Sequence, residues 1–171
     1  MLSVKKRLKK LIIFIAVLAV AFIALKIVLA PKSAEIGEKV KYSSIGEFTV
    51  NSIDIYDELD IAFTSLKSSL DNDEGAILVY FTFENTGKSD YALTADHVWA
   101  DYNDGVKYDG TQLYLKLSTG DYRLYEYGLK LEKVTSEAED FLVVIPVPMK
   151  VIEDTTESLE VEVFNHRYAV R

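Results

Sequence analysis

The sequence GAILVYFTFENTG, at residues 75–87, decides which fold class can be expected for this 171-residue chain. It is a continuous run of aliphatic, β-branched and aromatic residues, which is typical of a β-strand covered on both faces. The run ends at Asn85 and Gly87, which accept the positive φ angle that a tight turn imposes. The sequence therefore predicts a central strand whose alternate side chains form one buried face: Ile77, Val79, Phe81 and Phe83.

Two hairpins are predicted after this strand. Residues 97–102 and 106–108 flank the tripeptide Asn-Asp-Gly at 103–105, which is a strong hairpin signal. Alternating apolar residues at 113–117 and again at 125–131 are joined by a short polar turn. We expect each pair of strands to be antiparallel.

Before the central strand, a short strand is predicted at 38–42 and a longer one at 48–56. The longer strand places Phe48 and Val50 on one face and then changes phase, which predicts a bulge. Residues 57–74 are ambiguous, since they fit either a strand or a single helical turn.

The end of the chain contains two more strands. Residues 141–147, FLVVIPV, are apolar on both faces, and Pro146 and Pro148 indicate that one side lacks a ladder partner there. Leu159, Val161 and Val163 alternate with Glu160 and Glu162, which predicts a strand with one solvent-exposed face. Together these patterns predict an all-β protein, an immunoglobulin-like β-sandwich of about seven to nine strands.

An apolar segment at 11–30 precedes the β pattern. Fourteen of its twenty residues are Leu, Ile, Val or Phe, and twenty helical residues are about 30 Å long, the thickness of a bilayer core. The basic segment at 1–10 predicts a cytoplasmic N-terminus. We therefore expect a transmembrane signal anchor at 11–30, a short linker at 31–37 and an extracytoplasmic domain at 38–171 of a single-pass cell-membrane protein.

A cleaved signal peptide is the competing interpretation of this segment, with the cut after Ala30. Pro31 would then follow the cut directly, which argues against cleavage. Both interpretations export the domain.

Composition excludes several functional classes. From Ser33 onward the chain has 12 Lys and Arg against 27 Asp and Glu, a net charge of −15, so nucleic acid is not an expected partner. The chain has no cysteine, which excludes disulfides, thiolate catalysis and cysteine-ligated metal centres. It also excludes the lipid-modified cysteine of a bacterial lipoprotein.

Three motifs carry a family resemblance: the strand that ends in FENTG at 83–87, the hairpin WADYNDGVKY at 99–108, and FLVVIPVP at 141–148. The chain resembles, over about 37–168, the immunoglobulin-like domain-of-unknown-function family of bacterial lipoproteins and membrane-anchored extracytoplasmic proteins. The resemblance implies a fold and a compartment, and it implies no catalytic residues.

The acidic body suggests calcium as a cofactor. The loop that starts at Asp101 fails as an EF-hand, because its sixth position is Val106 and its twelfth is Gln112. Another oxygen-rich loop site remains an alternative to ordinary solvated turns, with these candidate ligands: Asp71, Asp73, Asp101 and Asp104.

The sequence contains few candidate catalytic residues. The two histidines are His97 and His166, and a pair of His97 with Asp96 or Asp101 is conceivable. No nucleophile or metalloprotease motif accompanies them. The carboxylates at Glu137, Glu139 and Asp140 lie in a predicted turn, where their acidity would be ordinary. The sequence therefore predicts a protein that is not an enzyme.

Tyrosines are concentrated in one stretch, with six of the eleven between Tyr102 and Tyr127. Tyrosine offers a large contact area at a small entropic cost, so a hairpin face that carries it can bind a protein or a glycan. The alternative is that tyrosine simply suits a half-buried strand. The candidate contact residues are Tyr114, Tyr122, Tyr125 and Tyr127. The predicted function is a non-catalytic protein-interaction or cell-envelope binding module, and the alternative is a divalent-cation or small-solute sensor.

Overall fold

A computed structural model describes residues 2–56, 70–71, 73–103, 105–132 and 137–171. The chain divides into two units, Met1–Lys32 and Ser33–Arg171. The first contains one helix, α1 (Leu2–Leu29), whose side chains are described from 12 to 25. Among the described residues no helix is long and apolar enough to cross a membrane, so the transmembrane helix predicted at 11–30 has no support there.

Two antiparallel sheets account for most of the remaining chain. The larger sheet has six strands, in the order β2 (Lys39–Tyr42), β3 (Gly46–Tyr56), β4 (Glu74–Glu84), β11 (Glu139–Pro148), β8 (Gln112–Lys116) and β9 (Tyr122–Tyr125). The smaller sheet has the order β1 (Lys32–Ser33), β13 (His166–Ala169), β12 (Leu159–Val163), β6 (Val98–Tyr102) and β7 (Val106–Asp109).

Three short elements complete the described fold. A two-stranded ribbon pairs β10 (Leu129–Leu131) with β5 (Tyr91–Leu93). A 3-10 helix (Ala95–His97) leads into β6, and α2 (Met149–Glu153) follows β11. The described residues contain thirteen strands, three of which are β1 and the two strands of the ribbon, and thus exceed the predicted seven to nine.

The main core consists of side chains from the facing surfaces of both sheets, which confirms the predicted β-sandwich. β4 lies at the centre of the larger sheet, and Ile77, Val79, Phe81 and Phe83 are buried in this core as predicted. The opposite face of β4 is covered too, since Leu78 belongs to a second, smaller cluster. As predicted, β4 is thus a central strand with both faces covered.

Two local predictions from the same patterns are confirmed. The register between β3 and β4 shifts between Val50 and Ser52, where the sequence predicts a bulge. β11 pairs with β4 as far as Pro148, but it pairs with β8 only over residues 141–144. The two prolines thus lie where β11 has one ladder partner, because proline has no N–H to donate.

The prediction that Asn85 and Gly87 adopt positive φ angles in the turn after β4 is wrong. Neither Asn85 nor Gly87 is among the described residues with positive φ. Instead the Asn85 side chain is buried, donates Nδ2–H bonds to the carbonyls of Ser89, Leu131 and Glu132, and accepts a bond from the Gly87 N–H at 3.0 Å. Asn85 therefore fixes this turn through its side chain.

Two further predictions need correction. The strand predicted at 125–131 is interrupted, because Gly128 has a φ of 82° and directs the chain from β9 into β10 in another sheet. The face of β12 predicted to be wet is partly closed, since Glu162 is only 7% exposed. Cross-strand neighbours on that face cover it, which an alternation pattern within one strand cannot show.

Candidate functional site

The turn between β9 and β10 carries the most exposed aromatic side chain of the described domain. Tyr125 ends β9 and its carbonyl accepts a bond from the Gly128 N–H. A Cβ atom at Gly128 would approach the Leu93 carbonyl oxygen to 2.5 Å, so the turn packs tightly against β5. Between these anchored residues, Tyr127 is 94% exposed. The backbone of the turn is held in place while its aromatic side chain faces solvent.

Two shallow depressions lie on either side of this turn. One, of about 310 Å³, is lined by residues 123–128. The other, of about 270 Å³, lies between the turn, the 3-10 helix and the residues that follow β7. Tyr125, Glu126 and Tyr127 line both depressions. Three segments that are distant in sequence therefore meet at one surface.

Polar groups surround the two rings. Asp96, whose side chain is 77% exposed, and the exposed Glu126 contribute carboxylates to the smaller depression. Arg123 lines the larger one, with its guanidinium carbon 5.4 Å from the centroid of the Tyr125 ring, a cation–π contact. This surface can bind polar or cationic groups.

The 3-10 helix that supports one wall is fixed by His97. Its Nε2 lies 2.8 Å from the Tyr91 hydroxyl, and its Nδ1 lies 2.8 Å from Thr94 Oγ1. Burial raises the pKa of Tyr91 far above its ordinary value, and a hydrogen bond that the Tyr91 hydroxyl donates to Tyr42 is a second cause. The Thr94 hydroxyl also bonds Asp96, so the histidine network orients the wall that carries this carboxylate.

The four candidate tyrosines do not form one surface. Tyr114 is 1% exposed in the second core cluster, with its hydroxyl bonded to Gln112, so it is not accessible to a partner. Tyr122 is half-buried against Tyr80, with ring centroids 6.3 Å apart. For Tyr114 the alternative of a strand residue suited to burial is correct. Tyr125 and Tyr127 line one depression together.

The acidic candidates are separated as well. Asp71 and Asp73 lie in the turn before β4, where the Asp71 N–H donates to Glu74. Asp104 lies outside the described residues. Within the described ranges there is no group of three His, Asp or Glu side chains placed to hold a metal ion. A calcium site remains a prediction without support from these contacts.

Asp101 instead belongs to a charged network on the outer face of the smaller sheet. Arg167 lies 3.1 Å from Glu160, 3.7 Å from Asp101 and 3.7 Å from Glu162, measured between side-chain N and O atoms. Burial raises the pKa of Glu162, while the charge of Arg167 acts to lower it. Arg167 thus neutralises carboxylates from two neighbouring strands, which gives Asp101 a structural role.

The residues considered for enzymatic chemistry make other contacts in the described chain. Asp96 approaches His97 only to 3.8 Å at an exposed site, and Asp101 pairs with Arg167 instead. His166 bonds the Phe164 carbonyl through Nδ1 at 3.0 Å. A depression of about 670 Å³ is lined by Glu137, Glu139 and Asp140. The prediction of a turn with ordinary acidity is wrong for two of them, because Glu139 and Asp140 begin β11 and burial raises the pKa of Glu139. Both histidines therefore serve the packing around Phe164.

Sequence reasoning missed Asp96 and Glu126 as parts of the tyrosine surface. They come together because β5 and β10 pair and bring the 3-10 helix beside the β9–β10 turn. The signal available in the sequence was Gly128 itself, since a glycine soon after Tyr125 marks a possible turn.

No protein-family model and no curated protein matches the chain. Among solved structures, it is similar to an uncharacterized β-sandwich protein from Clostridium difficile, with a TM-score of 0.58, 22% identity, and coverage of 82% of this chain and 96% of the other. A candidate lipoprotein from Bacillus subtilis matches with a TM-score of 0.41 and 13% identity, over 71% of this chain and 31% of its own. The first likeness shows a β-sandwich fold.

Proposed function

We propose that the chain is a non-catalytic binding module of the bacterial cell envelope, and that the β9–β10 turn is its contact surface. The observation that carries this proposal is the 94% exposure of Tyr127 on a turn whose backbone is anchored by Tyr125 and Gly128. A large aromatic ring that its own fold leaves uncovered provides contact area for a partner, and tyrosine is enriched at protein interfaces.

Retention of a partner tests the contact surface. The full-length chain, its Tyr127→Ala variant and a Tyr125→Ala variant are expressed at equal levels, crosslinked in cells and purified. We expect both variants to lose a partner that the parent chain retains. Val106→Ala is a matched control, because Val106 is an exposed apolar residue on β7 in the other sheet. Retention of every partner by both tyrosine variants would contradict the proposal.

The proposed module is an immunoglobulin-like domain anchored at the outer side of the membrane by residues 11–30. The large apolar side chains between Ile12 and Leu25 are 53–66% exposed, and a bilayer would cover them. The basic residues at 5–10 support a cytoplasmic N-terminus.

Extraction with alkaline carbonate and protease digestion of spheroplasts test this topology. The anchored chain is expected to stay in the membrane pellet and to lose residues 38–171 to external protease. A control chain with Leu18→Arg and Val20→Arg should leave the pellet. Quantitative release of the parent chain by carbonate would contradict the anchor.

A further inference from the structure

The smaller depression at the β9–β10 turn has a distinct charge. Its lining includes two carboxylates, Asp96 and Glu126, and no Lys or Arg. Arg123 lines only the depression on the other side of the turn. The ionised side chains that line the smaller depression are therefore negative, in a body whose net charge is already −15.

The aromatic rings at this depression attract positive charge as well. The face of a tyrosine ring carries negative quadrupole charge, and a guanidinium or ammonium within about 6 Å of its centroid is attracted. Arg123 already makes such a contact with Tyr125 at 5.4 Å. The ring of Tyr127 is almost fully exposed, and it lines the depression beside both carboxylates.

The geometry points to a specific occupant, and this inference rests on the proposed function of the same surface. We propose that the smaller depression receives an arginine or lysine side chain from a basic, extended segment of a partner protein. The cation lies against the exposed ring of Tyr127 and is neutralised by Asp96 and Glu126. The acidic body raises the rate of encounter with such a segment.

Anionic polymers do not fit this surface, because the carboxylates would repel them. A neutral oligosaccharide could also stack on an exposed tyrosine, but it would gain nothing from two ionised carboxylates beyond hydrogen bonds. The cationic side chain uses both the rings and the charge, so the observations favour it.

Peptide titration tests the inference on the full-length chain in detergent micelles. The probes are acetylated and amidated Gly-Gly-Arg-Gly-Gly, its lysine counterpart, and the citrulline peptide, which keeps the shape of arginine without the charge. We expect the arginine and lysine peptides to shift the amide NMR signals of Asp96, Glu126 and Tyr127. The citrulline peptide should bind at least about fivefold more weakly, and raising the salt concentration should weaken the charged peptides.

Matched variants locate the site. The pair Asp96→Asn and Glu126→Gln should weaken the arginine peptide at least about fivefold, as should Tyr127→Ala. The pair Glu35→Gln and Glu153→Gln removes two exposed carboxylates outside both depressions, and it should leave binding within about twofold. This control separates a specific site from the general attraction of an acidic protein.

Equal binding of the arginine and citrulline peptides would overturn the inference, as would equal loss in both double variants. If cellotetraose shifts the same amide signals and the arginine peptide does not, the ligand of this depression is a neutral glycan and the inference of a cationic ligand is wrong. Either result, together with partner loss in Tyr127→Ala, would leave the binding function in place. If Tyr127→Ala and Tyr125→Ala both retain all partners, the binding function itself fails.

Discussion

Two turns of this domain each carry an aromatic residue, and they treat it in opposite ways. The turn between β12 and β13 places Phe164 at 2% exposure, whereas the turn between β9 and β10 leaves Tyr127 at 94%. Phe164 adopts a left-handed φ of 48° and the next residue, Asn165, one of 65°. Such angles are costly for a phenylalanine, so its buried ring must offset the cost.

The surroundings of Phe164 show how that cost is offset. Its ring lies 4.8–5.7 Å, between centroids, from five other rings: Tyr42, Phe48, Phe81, Phe83 and His97. Contacts of this kind add to the burial of apolar area. Tyr127 has no comparable burial. The comparison shows that the β12–β13 turn packs its ring between the two sheets, whereas the β9–β10 turn leaves its ring open to solvent.

The largest expected effect is that of Phe164→Ala. The substitution empties the centre of the aromatic cluster and keeps the left-handed strain, so we expect a loss of about 3–5 kcal/mol in the free energy of unfolding. Urea unfolding followed by circular dichroism measures it. Phe164→Leu, which refills part of the space, should lose less. If Phe164→Ala is as stable as the parent chain, burial of the Phe164 ring does not stabilise the fold.

Arg167→Gln tests the hairpin that follows this turn, because Arg167 lies on β13. Its loss leaves three carboxylates without their common cation, and since Arg167 is one-third exposed we expect a cost of about 1–3 kcal/mol at pH 7.5.

The stability deficit of Arg167→Gln should depend on pH, and the pKa of Glu162 determines the direction of that dependence. Without Arg167 the pKa of Glu162, already raised by burial, rises further. A carboxyl whose pKa is higher in the folded than in the unfolded state contributes its full stability below the unfolded value, about 4.3, and loses it as the pH rises through the folded value. The deficit of Arg167→Gln should therefore shrink between pH 7.5 and pH 4. A deficit that grows on acidification would contradict this account.

Gly128→Ala tests whether the backbone of the β9–β10 turn is tightly packed. Gly128 has a φ of 82°, and a Cβ there would lie 2.5 Å from the Leu93 carbonyl oxygen. We expect a loss of about 1–2 kcal/mol, since both the angle and the space oppose a side chain. Gly120→Ala is the control, because Gly120 also has positive φ but open space around its Cβ position. Equal losses at the two glycines would mean that the β9–β10 turn is not tightly packed.

Tyr127→Ala should have the smallest effect on stability, within about 0.5 kcal/mol, because the side chain is almost fully exposed. Thermal unfolding of the variant beside Phe164→Ala gives the contrast directly. A loss of more than about 1.5 kcal/mol would show that Tyr127 is needed for folding, and the two turns would then not differ in kind.

The sequence predicted the core of the fold because β4 and β11 are apolar on both faces, and such strands are central wherever they pair. It also located the bulge in β3, since a change of phase is visible within one strand. It did not predict the role of Phe164. A phenylalanine in a left-handed turn carries no recognisable turn signal, and the rings around it come from distant strands.

The surface proposed for binding was predictable in part. Tyr125 and Tyr127 were candidates on composition alone, and the structure places them at one surface. Tyr114 was a candidate for the same reason and is buried, because burial depends on cross-strand neighbours. Asp96 and Glu126 could not be assigned from sequence, since the pairing of β5 with β10 brings them together.

Site-specific photocrosslinking in cells tests whether the β9–β10 turn contacts a partner, which the proposed function requires. A benzophenone amino acid replaces Tyr127 in the full-length chain, and Val106 in a matched chain, and both are irradiated in living cells. We expect a discrete crosslinked species at position 127 and none at position 106. Identical crosslinking patterns at the two positions, or none at 127, would contradict it.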